Sequence, residues 1–265
     1  MAKTIGIISV KGGVGKTSTV AAIGASLAND FNKKVLLVDA NFSAPNLGLH
    51  LGLIQPEVTL HHVLNDKADI KEALYESEHG FHIIPGAMIY NNTINPFKLK
   101  SKLRQLGKYY DVILIDSSPT LNNEILSSII ASDELYVVTT PDHVTLSTTM
   151  RTIKAAKQKK TPITGLILNK VYGKKFEVSL EDVEDACGAK VLAVLPHELE
   201  IVQALSESTP SSLYKNTASA KEIRALAGAM IGVEYTEPGI MSKLKRIFVQ
   251  PSTQDINRLS LIYKD

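Results

Sequence analysis

A glycine-rich turn near the start of the chain could bind phosphate. The apolar run Ile5 to Val10 is followed by Lys-Gly-Gly-Val-Gly-Lys-Thr-Ser, and small and apolar residues typical of a helix follow from Thr17 onward. Glycines let backbone N–H groups face an anion without side-chain clashes, and a helix N-terminus adds to the attraction. The final lysine and threonine suit the outer phosphates and a bound Mg²⁺. The predicted nucleotide-binding residues here are Gly12, Gly13, Val14, Gly15, Lys16, Thr17 and Ser18.

Two aspartates follow apolar runs and could hold that Mg²⁺ together with Thr17. Val35 to Val38 ends in Asp39, and Val112 to Ile115 ends in Asp116. A carboxylate at the end of a buried strand can bind Mg²⁺ directly or through its waters. Either aspartate alone would also serve as a helix cap or turn former. Their pairing with the phosphate loop favours the metal site, so the predicted ligands are Thr17, Asp39 and Asp116.

The elements that would position these residues alternate along the chain. Short, near-continuous apolar runs suit strands buried on both faces of a parallel sheet, and helix-length stretches separate them. The alternation predicts an α/β fold with a mostly parallel sheet, helices on both faces, and a ligand site at the carboxyl ends of the strands. The predicted strands are Ile5 to Val10, Val35 to Val38, Phe81 to Ile84, Val112 to Ile115, Leu135 to Val138, Ile163 to Leu168 and Val191 to Leu195. The predicted helices are Lys16 to Asn29, Asn122 to Ala131, Thr145 to Lys157, Ser179 to Ala186 and Asn216 to Ile231.

Composition excludes several classes of protein. With 265 residues and 44% hydrophobic content, the chain can bury a sizeable core. Cys187 is the single cysteine, so no disulfide framework and no site that needs paired thiolates can form within the chain. The N-terminus lacks a secretory signal, and no apolar run approaches the roughly 18 residues that span a bilayer. A cytoplasmic protein is expected.

The C-terminal part differs in character from the rest. Glu234 to Gly239 has the composition of a joint, which predicts a domain of residues 1–235 and an appendage of residues 236–265. The stretch Gly239 to Val249 would form an amphipathic helix suited to the headgroup region of an anionic membrane, or to packing on its own domain. The predicted membrane-facing residues are Ile240, Met241, Lys243, Leu244, Lys245, Arg246, Ile247 and Phe248. The tail that follows, Gln250 to Asp265, would bind a partner, fold back over this helix, or do neither.

The phosphate loop resembles that of the MinD/ParA family, whose deviant Walker A motif is Lys-Gly-Gly-x-Gly-Lys-Thr. The resemblance covers residues 3–232 and is strongest at the loop, while the C-terminal amphipathic stretch resembles the membrane-targeting helix of MinD proteins. It implies ATP and Mg²⁺ as cofactors and a homodimer formed on ATP binding. In the family the early lysine crosses the dimer interface to the partner's nucleotide, which would make Lys11 catalytic alongside Lys16.

Other positions follow from the same resemblance. The family's first switch segment has Asp-x-Asp, whereas this chain has Asp39-Ala40-Asn41. Asn41 would be the catalytic residue that orients the attacking water, but it cannot accept a proton, so slow hydrolysis is expected. Asn169 ends a predicted strand and would bind the base, with Pro196 in the flanking loop. Because Tyr172 stands where GTPases have their guanine-reading aspartate, adenine is favoured.

Together these features predict a MinD-like ATPase that associates reversibly with a membrane to position a cellular component, with an activating or cargo protein as a further partner. One alternative is a ParA-like ATPase that binds nonspecific DNA. A second alternative is a regulatory module that binds nucleotide without hydrolysing it, for which Asn41 is the supporting feature. The DNA alternative depends on basic residues clustered in the sequence, which are Lys154, Lys157, Lys159, Lys160, Lys170, Lys174 and Lys175.

Overall fold

The structure is a computed structural model that describes residues 1–237 and 250–263. Eight strands form one sheet in these residues, and every neighbouring pair except β3 with β4 is parallel. The strands are β1 Lys3–Ile8, β2 Val35–Ala40, β3 Tyr75–Glu76, β4 His82–Ile84, β5 Val112–Ser117, β6 Glu134–Thr139, β7 Ile163–Val171 and β8 Val191–Pro196. The α-helices are α1 Lys16–Asn29, α2 Leu47–His50, α3 Leu60–Leu64, α4 Leu99–Arg104, α5 Asn123–Ala131, α6 His143–Gln158, α7 Leu180–Cys187, α8 Leu199–Ser206, α9 Ser211–Tyr214, α10 Ala218–Met230 and α11 Thr253–Ile262. Single 3₁₀ turns occupy Ile70–Ala73 and Pro96–Lys98.

The strand order β3-β4-β2-β5-β1-β6-β7-β8 places β1 at the centre, between β5 and β6. The turn after β1 therefore lies beside the end of β5. Asp39 on β2 is in register with Asp116 on β5, and Asp116 is in register with Ile7 on β1. The strand order thus brings both aspartates to the edge of the sheet where the phosphate loop begins.

Helices cover both faces of the sheet, because the central strands bury side chains on both sides. Leu114 of β5 packs in one core with Ile23 of α1 and Leu226 of α10. Its neighbours Ile113 and Ile115 are buried in a second core on the other face. The predicted α/β fold with a mostly parallel sheet is confirmed.

Boundaries differ from the predicted ones where local polarity was misleading. Helix α1 has the predicted bounds, but β1 begins at Lys3 and ends at Ile8, so Ser9 and Val10 belong to the phosphate loop. The polar pair Lys3 and Thr4 hid the start of this strand. The two-residue antiparallel strand β3 was not predicted, because a segment so short has no periodicity to recognise.

The C-terminal tail forms α11, which packs against β8 and α10. Arg258 of α11 is 5% exposed and pairs with Glu222 of α10, with a nitrogen–oxygen distance of 2.8 Å. The same guanidinium donates to the carbonyl oxygen of Leu192 at 2.7 Å, and Asn257 donates to that of Val191 at 2.8 Å. These side chains pair carbonyl groups of β8, which lies at the edge of the sheet.

The predicted membrane-facing residues, Ile240 to Phe248, lie outside the described residues. In residues 1–237 and 250–263, no helix is long and apolar enough to span a bilayer.

Candidate functional site

The phosphate loop joins β1 to α1 by a turn that needs glycine at two positions. Gly13 and Gly15 have φ angles of +76° and +93°, in the left-handed region that other residues avoid. A Cβ atom on Gly15 would also lie 2.3 Å from the side-chain nitrogen of Asn169. The loop therefore has both the strand–turn–helix context and the backbone geometry of a phosphate cradle.

Lys16, Thr17 and Asp116 converge at the start of α1. Thr17 Oγ1 donates to Asp116 Oδ2 at 2.6 Å and lies 3.0 Å from Asn46 Oδ1. Lys16 is only 7% exposed; burial lowers its pKa, and the charge of Asp116 acts in the opposite direction. Burial raises the pKa of Asp116, against the effects of Lys16 and the Thr17 hydroxyl. Buried charges are stable when they are paired, so the Lys16 ammonium would favour a bound phosphate and the Asp116 carboxylate a bound cation.

The oxygen atoms of this cluster fit a magnesium ion. Asp116 Oδ1 is buried and has no hydrogen-bond partner, and its carboxylate lies beside the Thr17 hydroxyl. Carboxylate and hydroxyl oxygens are the ligands that Mg²⁺ prefers, with phosphate oxygens completing the octahedron. The predicted ligands Thr17 and Asp116 therefore lie close enough to share one ion.

Asp39, the third predicted ligand, also organises the residues that follow it, 40–47, which are called the first switch segment below. Its Oδ2 accepts from the backbone N–H groups of Asn46 and Leu47, both at 2.9 Å, and its Oδ1 accepts from that of Asn41 at 3.1 Å. Burial first, and then the neighbouring Asp116, raises the pKa of this carboxyl group. A metal-binding role for Asp39 stays a prediction.

Asn41 lines the same cleft as the phosphate loop. Its Nδ2 donates to the carbonyl oxygen of Ala44 at 2.5 Å, whereas its Oδ1 is buried without a partner. An unpaired buried acceptor beside a phosphate site can hold a water through one of the water's protons. The arrangement suits orientation of a water and offers no base, and the catalytic role of Asn41 stays a prediction.

Lys11 is not among the residues that line the cleft of its own phosphate loop. Its Nζ lies 3.5 Å from Asp142 Oδ1 and donates to Thr145 Oγ1, at the N-terminus of α6. Burial opposes ionisation of Asp142, but hydrogen bonds from Thr140 and Thr145 outweigh it and lower the pKa of this carboxyl group to about 2. Lys11 thus rests against a permanent negative charge.

The distal end of the cleft would hold the base. Asn169 lines the cleft, but its Nδ2 donates to the carbonyl oxygen of Val14 at 2.8 Å and its Oδ1 accepts from the N–H of Lys170 at 2.9 Å. In this structure the Asn169 amide supports the phosphate loop, and contact with a purine stays a prediction. Pro196 also lines the cleft, and its contact with a nucleotide stays a prediction. Helix α8 supplies apolar residues to the cleft, which are Ile201, Val202 and Leu205.

Some residues at the site were not assigned from the sequence. Lys170 donates through Nζ to the carbonyl oxygen of Gly13 at 2.7 Å and so braces the loop. His50 lines the cleft with its Nδ1 2.9 Å from the carbonyl oxygen of Asn46. Lys170 follows Asn169 at the end of β7, where side chains of a parallel sheet meet its ligand site, and that placement was the available signal.

The structure divides the basic cluster on which the DNA alternative depends. Lys170 lies at the carboxyl end of β7, and Lys174 and Lys175 follow that strand. Helix α6 begins at this same edge of the sheet, after β6, and runs away from it. The other four lysines, at positions 154, 157, 159 and 160, lie near its far end or directly after it. A helix of 16 residues spans about 24 Å, so the seven lysines do not form one patch.

Fold and site together define a P-loop nucleotide-binding protein. Residues 2–164 match the model of a family described as AAA domain. An uncharacterized ATP-binding protein of Methanocaldococcus jannaschii is 32% identical over 252 residues, covering 94% of each chain. The septum site-determining protein MinD of Synechocystis is 31% identical over 79% of this chain and 82% of its own.

Structural comparison agrees with the sequence relatives. The septum site-determining protein MinD of Pyrococcus horikoshii, solved in complex with Mg-ADP, superposes with a TM-score of 0.82 at 31% identity. The match covers 87% of this chain and 96% of that one. The chain therefore belongs to the MinD/ParA family of P-loop ATPases.

Proposed function

We propose that this protein is an ATP-dependent dimerisation switch that associates reversibly with an anionic membrane and positions a cellular component. The observation that carries the proposal is the placement of Lys11. Its ammonium group rests on Asp142 and Thr145, outside the cleft that its own phosphate loop lines. A cation held at the rim of one cleft is available to the nucleotide of a second copy.

Hydrolysis within the dimer would be slow. Lys16 would neutralise the outer phosphates, while Thr17 and Asp116 would hold Mg²⁺, which supplies further positive charge as the phosphoryl group transfers. Asn41 would orient the water without accepting its proton. Lys11 from the partner would add the charge that a single chain lacks, so hydrolysis would depend on dimerisation. A partner protein that stimulates hydrolysis or is itself the cargo would complete the cycle.

Membrane association would depend on the amphipathic sequence of residues 239–249. One short segment with a basic face and an apolar face binds an anionic surface weakly. A dimer presents two such segments, and the second then binds at a high effective concentration. ATP would therefore raise membrane affinity, and hydrolysis would lower it. The protein would be cytoplasmic in one nucleotide state and peripheral at the membrane in the other.

Sedimentation with anionic liposomes tests this proposal, with ATP, ADP or no nucleotide and with phosphate release measured in each sample. A double variant, Ile240→Ser with Phe248→Ser, removes two apolar side chains from the segment. Substitution is preferable to truncation, because a truncation would also remove α11. The matched control is Ile256→Ser, which changes an exposed residue of α11.

The wild type and Ile256→Ser are expected to pellet with ATP, and the double variant to remain in the supernatant with unchanged hydrolysis. Lys11→Ala is expected to lose ATP-dependent pelleting and to hydrolyse ATP at least about tenfold more slowly. Absence of pelleting by the wild type with every nucleotide would refute the membrane association. An ATP-dependent, salt-sensitive shift of DNA in its place would support the ParA-like alternative.

A further inference from the structure

His61 of α3 links the first switch segment to the loop after β4. The imidazole is 3% exposed, and its Nδ1 accepts from the backbone N–H of Ala87 at 3.0 Å. The ring proton must then reside on Nε2, which donates to the carbonyl oxygen of Phe42, also at 3.0 Å. Both ring nitrogens are therefore paired with backbone groups, and the partners fix one neutral tautomer.

The surroundings of His61 hold the ring and Phe42 together. The Phe42 ring meets the imidazole edge-on, with centroids 5.7 Å apart, and the Tyr90 ring packs against it at 5.1 Å. Phe42 is itself buried in the core beneath the switch. The titratable groups that act on the imidazole are His62 of the same helix and Glu124 of α5. Burial is the largest effect, and it lowers the pKa of His61.

Two anchors thus hold the switch segment at different points. Asp39 accepts from backbone N–H groups at Asn41, Asn46 and Leu47. His61 donates to the single carbonyl at Phe42, directly after Asn41. Asn41 stands between these anchors, so the direction of its side chain depends on both.

We infer that His61 is a positioning residue for the water-orienting Asn41, acting through the carbonyl group of Phe42. The inference rests on the proposed hydrolysis, in which Asn41 orients the attacking water. His61 itself is not among the residues that line the nucleotide cleft. Its loss would leave nucleotide binding intact while Asn41 samples unproductive directions, since catalysis depends on orientation to a fraction of an ångström.

Two substitutions separate the bonds of the imidazole. His61→Asn places an amide oxygen where Nδ1 stands, so it can accept from Ala87 but cannot reach Phe42. His61→Gln reaches about as far as Nε2 and can donate to Phe42, while leaving Ala87 without its acceptor. A merely structural histidine would make both variants fail alike. A positioning histidine would make only His61→Asn fail in catalysis.

The experiment measures steady-state ATP hydrolysis and hydrogen exchange of the peptide that contains residues 41–47, for the wild type and both full-length variants. His61→Asn is expected to lower kcat about tenfold with KM within about twofold, and to speed exchange of this peptide, which contains Phe42, about tenfold. His61→Gln is expected to keep kcat and exchange within about threefold of the wild type, even if its thermal stability falls.

Equal loss of kcat in both variants, or unchanged exchange in His61→Asn, would overturn the inference. A wild type that binds ATP without hydrolysing it would refute the proposed hydrolysis instead. Hydrogen exchange would then still decide whether His61 holds the switch, because that measurement needs no turnover.

Discussion

Replacement of Arg258 by alanine tests whether α11 is an integral part of the folded domain. The guanidinium pairs with Glu222 at 2.8 Å and donates to the carbonyl oxygen of Leu192 at 2.7 Å, and it also contacts Asp255. Its side chain is 6% exposed, whereas that of Glu222 is 21% exposed. Replacement by alanine removes the charged donor from the Glu222 carboxylate and from the carbonyl group of Leu192.

Breaking a buried ion pair costs about 3–5 kcal/mol when the remaining charge stays dry. Because Glu222 can recover part of its hydration, we expect the free energy of unfolding to fall by about 2–3 kcal/mol. For a domain of this size, each kcal/mol lowers the melting temperature by about 2–4 °C, so the expected shift is about 4–12 °C. ATP affinity should not change, since α11 packs on β8 and α10 rather than on the phosphate loop.

The measurements are urea titration and thermal unfolding followed by circular dichroism, with ATP affinity measured by calorimetry. Lys190→Met is the matched control, because it removes the ion pair between Lys190 and Glu184, in which the lysine side chain is 67% exposed. No measurable change in the free energy of unfolding or in the melting temperature is expected. If Arg258→Ala destabilises the protein no more than this control does, the reasoning about the buried pair is refuted. A large loss of ATP affinity would show that α11 supports the cleft.

Three further outcomes are expected. Lys16→Ala should weaken ATP binding by at least about tenfold in calorimetry, because it removes a charged donor to the phosphates; affinity within twofold would contradict this. Asp142→Asn keeps a good helix cap but removes the negative charge that holds Lys11, which is then free to reach the nucleotide of the partner. ATP-dependent dimers should therefore form at lower protein concentration in sedimentation velocity, and weaker dimerisation would contradict this role of Lys11. Because burial lowers the pKa of His61 below its ordinary value of 6.5, its stabilising effect is complete above pH 6.5 and is lost as the pH falls through the lowered pKa. Urea titrations from pH 8 to pH 5 should therefore show a steeper loss for the wild type than for His61→Asn, and parallel curves would exclude this role.

Local sequence was sufficient for the phosphate loop and for the helix behind it. The glycines at 13 and 15 have the left-handed φ angles that such a loop needs, and Lys16 to Asn29 forms α1 with the predicted bounds. Asp39 and Asp116 lie side by side at one edge of the sheet. This placement was predictable, because the carboxyl ends of parallel strands share one edge.

The rest depended on contacts between distant parts of the chain. His61 bonds to Phe42 and Ala87, which lie 19 and 26 residues away, so its position in the sequence gave no signal. Asn169 was assigned to the base from its place at a strand end, but packing directs its amide to Val14. Side-chain direction of this kind follows from tertiary contacts, which a single sequence does not show.

The helix α11 also limits how copies of this protein can assemble. An exposed edge strand invites a second chain to add a strand of its own, which leads to open-ended fibres or aggregates. On β8 the carbonyl groups of Val191 and Leu192 are already paired with Asn257 and Arg258. At the opposite edge, β3 has only two residues and runs antiparallel to its neighbour. With part of one edge paired and the other edge short, growth by strand addition is disfavoured, and association through faces and loops, such as the loop that carries Lys11, is favoured instead.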